Sequence, residues 1–231
     1  MSSGETIAPA LIEYTVRRSQ RARRVHVRVG AGGVEVVLPQ RAAEREAAAA
    51  VRELGPWIDR RLRERRAAAE AVLARGDCVP YLGRMLHVRR EPGRTRVHRR
   101  GDLLLAPAGS PLLGALERWY RRAARVEIEP RLRRACAVAG SGYTTLTIRG
   151  QRTRWASCSR AGAMSFNWRL LMAPEPVLDY VVWHEVCHLD VMDHSPRFWT
   201  LLESRCPDFR THAAWLRRHG PELVLSAEAP V

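Results

Sequence analysis

His184-Glu185-Val186-Cys187-His188, with His194 six residues further on, constrains this 231-residue chain more than any other segment. Residues four apart lie on one face of an α-helix, so His184 and His188 can turn two imidazoles toward one point. Glu185 stands about 100° round the helix from His184, beside that point but not on the same row. Two helical histidines with an intervening glutamate are the donor set and proton acceptor of a metal-dependent hydrolytic site. The simpler alternative, two surface histidines and a salt-bridging glutamate, sits poorly with the neighbours. Val177, Leu178, Val181, Val182, Val186 and Leu189 form a broad apolar surface at helical spacing, and a charge among them is costly unless it is paired or functional. Pro174 and Pro176 suit the start of this helix, and Asp179 adds negative charge near it.

A catalytic zinc commonly takes three protein ligands and leaves one position open. His194 is the expected third. A continuous helix would carry it about 15 Å along the axis from His184, so the helix must stop after Leu189 or Asp190 and the chain must fold back. Asp193, tolerant of left-handed backbone, is the expected place for that reversal. Glu203, on a following helix that starts at Ser195-Pro196, and Asp190 are the rival ligands. The spacing of the three histidines equals that of the metzincins, but Val191 stands where those proteins carry glycine. Asp190 or Asp193 is expected to orient a ligand histidine through its other ring nitrogen.

Several segments resemble the YgjP-like metallopeptidases. They are Arg154-Trp155-Ala156-Ser157-Cys158-Ser159, Asn167-Trp168-Arg169-Leu170, Met172-Ala173-Pro174, Tyr180-Val181-Val182-Trp183 leading into the histidine motif, then His194-Ser195 and Phe198-Trp199. Weaker likeness extends to Tyr14–Ser19 and Gly83, and Ala156 replaces the glycine expected after the tryptophan. The resemblance implies a zincin-like fold related to the SprT-type proteases. It also implies one zinc ion on His184, His188 and His194, with Glu185 as catalytic base, and it names no substrate. The expected activity is peptide-bond hydrolysis through a zinc-activated water. Trp155, Asn167 and Trp168 are candidates to line a substrate cleft, with core tryptophans and a turn-satisfying asparagine as the alternative. An extended peptide could pair with the strand holding Ser165 to Arg169 if its edge is free. Tyr180 and Arg154 are the candidates for an oxyanion donor.

The formal charge is +15, and every basic residue other than histidine is an arginine. Clusters at Arg17–Arg28, Arg60–Arg66 and Arg89–Arg100 would attract polyanions in a salt-dependent way. Few aromatics are interleaved to stack bases, and part of the arginine content reflects overall composition. A nucleic-acid-binding protein with a structural zinc site is therefore the second reading, alongside a peptidase acting on a peptide or protein. Five cysteines without paired spacing fit a reduced, cytoplasmic protein and give no cysteine-rich zinc site. Cys158 reads as a half-buried structural cysteine more readily than a reactive thiol. No apolar run approaches the roughly 20 residues of a membrane span. Met1-Ser2-Ser3-Gly4-Glu5 lacks the basic and apolar regions of a signal peptide.

The expected fold is α+β: a zincin-like core, with its histidine-bearing helix beside a small antiparallel sheet, preceded by a small β-rich and helical region. The expected domains are residues 1–106 and 107–225, divided at the Pro107–Pro111 segment. Strands are expected at Tyr14–Val16, Arg24–Val29 and Val34–Leu38, with a turn at Gly32-Gly33. A helical region over Arg41–Arg75 is interrupted at Gly55-Pro56. Short strands over Val79–Arg90 and Arg94–Leu105 surround Pro92-Gly93, and a long helix over Leu112–Ala139 is broken or bent near Pro130. Strands at Tyr143–Ile148 and Met164–Leu171 flank a polar stretch, and Ser226–Val231 is expected to fray.

Overall fold

The computed structural model describes residues 12–30, 33–151 and 153–226. The opening Met1–Glu5, Gly32 of the expected turn and nearly all of Ser226–Val231 lie outside them. The chain divides into two compact units at Ala71/Val72, near the end of a helix. The expected boundary at 106/107 therefore falls inside the second unit.

In the first unit, β1 (Tyr14–Ser19), β2 (His26–Gly30) and β3 (Gly33–Pro39) form a sheet in the order β1-β3-β2. The central strand β3 runs parallel to β1 and antiparallel to β2. Its alternating Val34, Val36 and Leu38 make the core with Ala47 and Val51 of α1 (Arg45–Glu53) and Ile58 of α2 (Gly55–Leu73). Ala47 and Val51, four apart, share one helix face. The break between the helices lies at Leu54 and Gly55, where Pro56 opens the second helix.

The second unit begins with β4 (Cys78–Tyr81), β5 (Arg84–Glu91), β6 (His98–Arg100) and β7 (Leu103–Pro107), ordered β4-β5-β7-β6. The two expected strands, Val79–Arg90 and Arg94–Leu105, each divide in two, and β5 and β6, which flank Pro92-Gly93, are not neighbours. β5 pairs in parallel with β7, and β6 forms its hairpin with β7 around Gly101, whose φ is +60°. Tertiary pairing of the apolar β7, with Leu104 and Ala106 fully buried, prevails over the local turn signal.

The long helix α3 (Leu112–Ala139) covers this sheet through Leu116, Tyr120, Ala124, Ile128 and Leu132, each four residues from the next. The bend expected at Pro130 does not interrupt it: α3 is one helix with Pro130 inside, ended by Gly140 in left-handed conformation. Packing on both sides of Pro130 outweighs the one lost backbone bond.

Beyond α3 lies a second sheet, β8 (Thr145–Arg149), β9 (Ala156–Cys158) and β10 (Ala163–Asn167), in the order β8-β10-β9. Its pairing is mixed, β10 running parallel to β8 and antiparallel to β9. The backbone carbonyl of Leu146 on β8 accepts a 2.8 Å bond from Arg125 of α3. The strand expected through Leu171 ends at Asn167, where a 3₁₀ turn (Trp168–Met172) leads to α4 (Glu175–Cys187). α5 (Pro196–Arg205) and α6 (Phe209–His219) complete the chain's α-helices among the described residues.

Two devices fix the helix that carries the histidines. Arg131 on α3 bonds Glu127 at 2.7 Å on its own helix and Asp179 at 3.1 Å on α4, and also pairs with Glu175. The β4–β5 turn supports the segment just before α4. Leu82 and Gly83 both have positive φ, +48° and +84°, the two-residue turn that matches strand twist. Leu82 donates its backbone N–H to the Leu171 carbonyl at 2.7 Å, and Gly83 lies against Pro174. Gly83→Ala is expected to cost about 1–2 kcal/mol, since a Cβ at that φ is strained. Scanning calorimetry should show a melting midpoint several degrees lower; an unchanged midpoint would mean the turn relaxes freely.

Candidate metal centre

His184 lies in the last turn of α4, and His188 is the residue that caps it. The helix thus ends at Cys187, two residues before the expected stop, and the backbone folds back at once. Cys187 O accepts from both Asp190 N at 3.2 Å and Val191 N at 2.9 Å. The reversal uses no left-handed residue at Asp193: Leu82 is the one non-glycine with positive φ among the described residues. Asp193 acts through its side chain, accepting Ser195 N–H at 3.1 Å and so setting the start of α5.

The fold-back brings His194 to His184. Their Nε2 atoms are 3.1 Å apart, and one ligand nitrogen from each of His184, His188 and His194 lies within 4.8 Å of the others. Two imidazole nitrogens bound tetrahedrally to one ion at about 2.0–2.1 Å would be roughly 3.3 Å apart, and the His184–His194 pair stands near that spacing. Glu203 and Asp190 are engaged elsewhere, Glu203 with Arg210 and Asp190 with Arg205 at 2.9 Å.

Each histidine is held differently. His188, 8% exposed, shares a 3.0 Å hydrogen bond from Nδ1 to the Val191 carbonyl. A carbonyl only accepts, so Nδ1 carries the proton and Nε2 presents its lone pair. This backbone group does the orienting expected of Asp190 or Asp193. His184 Nδ1 is buried with no hydrogen-bond partner, and rings hold the imidazole in place instead. Phe198 touches all three imidazoles, with centroids 5.0 Å from His184, 4.6 Å from His188 and 4.8 Å from His194. Trp199 stacks on His194 at 5.5 Å, and Phe209 of α6 stacks behind Trp199 at 5.7 Å. Tyr180, one turn before His184, meets its ring edge-on at 6.0 Å. Burial, then the neighbouring histidines, pushes His184 down to about 4, and burial lowers His188. Both are therefore neutral near pH 7, as metal ligands must be.

Glu185 is 5% exposed, and no cation pairs with its carboxylate among the described residues. Burial raises it to about 8. A cation beside it would pull that value down again. Cys158 is pushed up to about 11, first by burial and then by the nearby Glu185 charge. It is a thiol rather than a thiolate, and hence neither nucleophile nor ready ligand.

The candidate cleft residues separate. Asn167 and Trp168 turn into the core at 3% and 2% exposure. Asn167 donates to the carbonyls of Gln151 at 2.7 Å and Arg154 at 3.2 Å, and accepts from Arg169 N–H. It is the turn-satisfying asparagine. Trp168 packs against Tyr120. Trp155 alone is half-buried, with Gly220 set so close that a Cβ there would meet the indole at 3.0 Å. Arg154 is exposed.

β10 is the middle strand of its sheet, so the edge expected there is closed. The edge belongs to β9, three residues hidden in the stretch read as polar loop. In its register, Trp155 O accepts from Asn167 N, Ser157 faces Ser165 and Ser159 N donates to Ala163 O. Bonded pairs alternate in an antiparallel ladder, so the peptide groups of Ala156 and Cys158 face outward. Phe198 was missed as a site residue, because a phenylalanine on an amphipathic helix reads as core; its spacing four residues after His194 was the available signal.

The arginine clusters are partly consumed by internal bonds. Arg17 pairs with Glu35, and Arg60 and Arg61 with Glu64. Arg89 and Arg94 pair with Glu91, while Arg90 donates to the carbonyls of Ala108 and Ser110.

The family model of the YgjP-like metallopeptidase domain matches residues 23–219. The chain belongs to that family. YgjP-like membership makes it a metal-dependent peptidase on an α+β, zincin-like core. The histidine cluster is the group of side chains, among the described residues, able to share the family's metal ion. The crystal structure of the metallopeptidase zymogen of Pyrococcus abyssi abylysin is similar over 39% of this chain and 96% of its own, at 24% identity and a TM-score of 0.34. That superposition is too loose to carry weight. No curated protein matches the chain.

Proposed function

We propose that this protein is a zinc-dependent peptidase in which His184, His188 and His194 hold one zinc ion and Glu185 is the general base. The observation that carries the reading is the triad of converging imidazoles with a buried, unpaired carboxylate next to the first of them. A carboxylate kept in that position costs stability and has no structural partner to justify it. Zinc, when bound, would polarise the substrate carbonyl and lower the pKa of water towards ~7.

The remaining roles fall to this chain's own groups. Glu185 takes the proton of the attacking water and later gives it to the leaving amine. The outward peptide groups of Ala156 and Cys158 hold an extended substrate by backbone hydrogen bonds, which fix its direction without reading its sequence. Phe198 and Trp199 keep the imidazoles in place and wall off water behind them. Substrates are peptides or proteins. Five free cysteines suit a reducing compartment such as the cytoplasm, and no helix among the described residues is long and apolar enough to cross a membrane.

Elemental analysis of identically purified wild type, His194→Ala and Glu203→Ala tests the ligand set. Near-stoichiometric zinc is expected in wild type and Glu203→Ala, with most of it lost in His194→Ala. Zinc absent from well-folded wild type, or lost only with Glu203, would overturn the assignment.

A further inference from the structure

The turn between His188 and His194 is closed by short-range backbone bonds, from Leu189 N to Val186 O and from Asp190 N and Val191 N to Cys187 O. Helices often end on a left-handed glycine that satisfies their last carbonyls. None follows α4, and the backbone leaves the helix without a positive φ. The last turn therefore keeps the negative end of its dipole beside the metal ligands.

Arg205, the final residue of α5, supplies the missing charge. One terminal nitrogen bonds Asp190 Oδ2 at 2.9 Å, and the other lies 3.7 Å from Cys187 Sγ. The guanidinium also stands over the Trp183 ring, 6.0 Å from its centroid. Only 15% of the Arg205 side chain is exposed, against 35% for its carboxylate partner. These contacts reach Trp183 and Cys187 in the last two turns of α4 and Asp190, three residues past its end. Asp190 is followed directly by Val191, whose carbonyl holds His188 Nδ1.

We infer that Arg205 is a positioning residue for the metal centre: its clamp on Asp190 fixes the Val191 carbonyl and thereby the tautomer and aim of His188. This rests on the zinc-site reading above. Arginine suits the task better than lysine, because its planar fork can serve the carboxylate, the sulfur and the indole face together. The partners that orient metal-bound histidines are typically worth about 10–100-fold in metal affinity. Here the orienting atom is a backbone carbonyl, so that dependence passes to the side chain that holds the backbone.

The test is the zinc dissociation constant, by competition with a chromogenic chelator, for wild type, Arg205→Ala, Arg205→Lys, Asp190→Asn and Asp190→Asn/Arg205→Ala. Arg205→Ala should bind zinc roughly 10–100-fold more weakly, with Arg205→Lys between it and wild type. The double variant should be no worse than Arg205→Ala alone, since both changes break one clamp. In metal-free protein, ¹⁵N shifts should show His188 protonated at Nδ1 in wild type and as a tautomer mixture in Arg205→Ala. A merely structural ion pair would lower the melting midpoint yet leave zinc affinity and the tautomer unchanged, and that result would overturn the inference. Should Arg205→Ala fail to fold, Arg205→Lys and Asp190→Asn decide it by the same two readouts. Failure of wild type to bind zinc would instead sink the metal-site reading, and the inference with it.

Discussion

Glu185→Gln should lower the turnover number for peptide hydrolysis by roughly 10²–10⁴-fold while zinc stays bound at wild-type stoichiometry. Glutamine keeps the shape of the side chain and leaves all three imidazoles untouched, but it cannot accept the water's proton. Under the proposed binding along β9, which leaves Glu185 free of the substrate's backbone bonds, KM should change little. A second readout separates a general base from a buried acid with no role in the chemistry. In metal-free protein the carboxyl stands at about 8 against an ordinary value of 4.5, raised by burial. The folded state then binds the proton more tightly than the unfolded chain, so this group's contribution to stability is present below pH 4.5 and lost as pH rises towards 8. Chelated Glu185→Gln should lack that loss and exceed chelated wild type in stability increasingly from pH 5 to 8. Urea titrations at several pH values would read it. Wild-type turnover in the variant would rule out Glu185 as the base.

Phe198→Ala is expected to be the most damaging single change outside the ligands. The side chain is 0% exposed and is the one ring in contact with all three imidazoles. Removing it should cost about 3–5 kcal/mol, as for other fully buried aromatics. The loss should also reach the histidine cluster, since His184 Nδ1 has no hydrogen bond to hold it and the ring relies on packing. Phe198→Leu keeps most of the volume and should cost only about 1–1.5 kcal/mol. Denaturant unfolding of metal-free protein gives the first figure, and chelator competition the effect on zinc affinity. If Phe198→Ala unfolds at the wild-type denaturant concentration, the ring does not support the site.

The convergence of the three histidines was legible because the four-residue spacing puts two imidazoles on one helix face, and a third can join them only if the chain folds back after the helix. α3 was legible to the residue: its apolar positions recur four apart for seven turns, and Gly140 marks the end. Features set by partners distant in sequence were not. Parallel pairing of β5 with β7 leaves no local signature, so Pro92-Gly93 read as a hairpin turn although β5 and β6 on its two sides do not pair. Three-residue β9 is too short to display an alternation, and with it the open edge of the sheet went unseen. Asn167 and Trp168 belong to a motif that reads as functional, but the 3₁₀ turn after β10 rotates both inward. The division into compact units at Ala71/Val72 likewise has no local mark. Pro107–Pro111 carries every mark of a linker, yet β4 is joined to α3 through Tyr81–Glu127 and Tyr120–Pro80.

The two margins of the β8-β10-β9 sheet are treated unequally. On β8 the Leu146 carbonyl is already taken by Arg125, and β9 itself is only three residues long. A row so brief offers a visiting chain too few hydrogen bonds to template further strands. The sheet can thus keep an unpaired margin, the one proposed to receive substrate, without that margin becoming a seed for self-association.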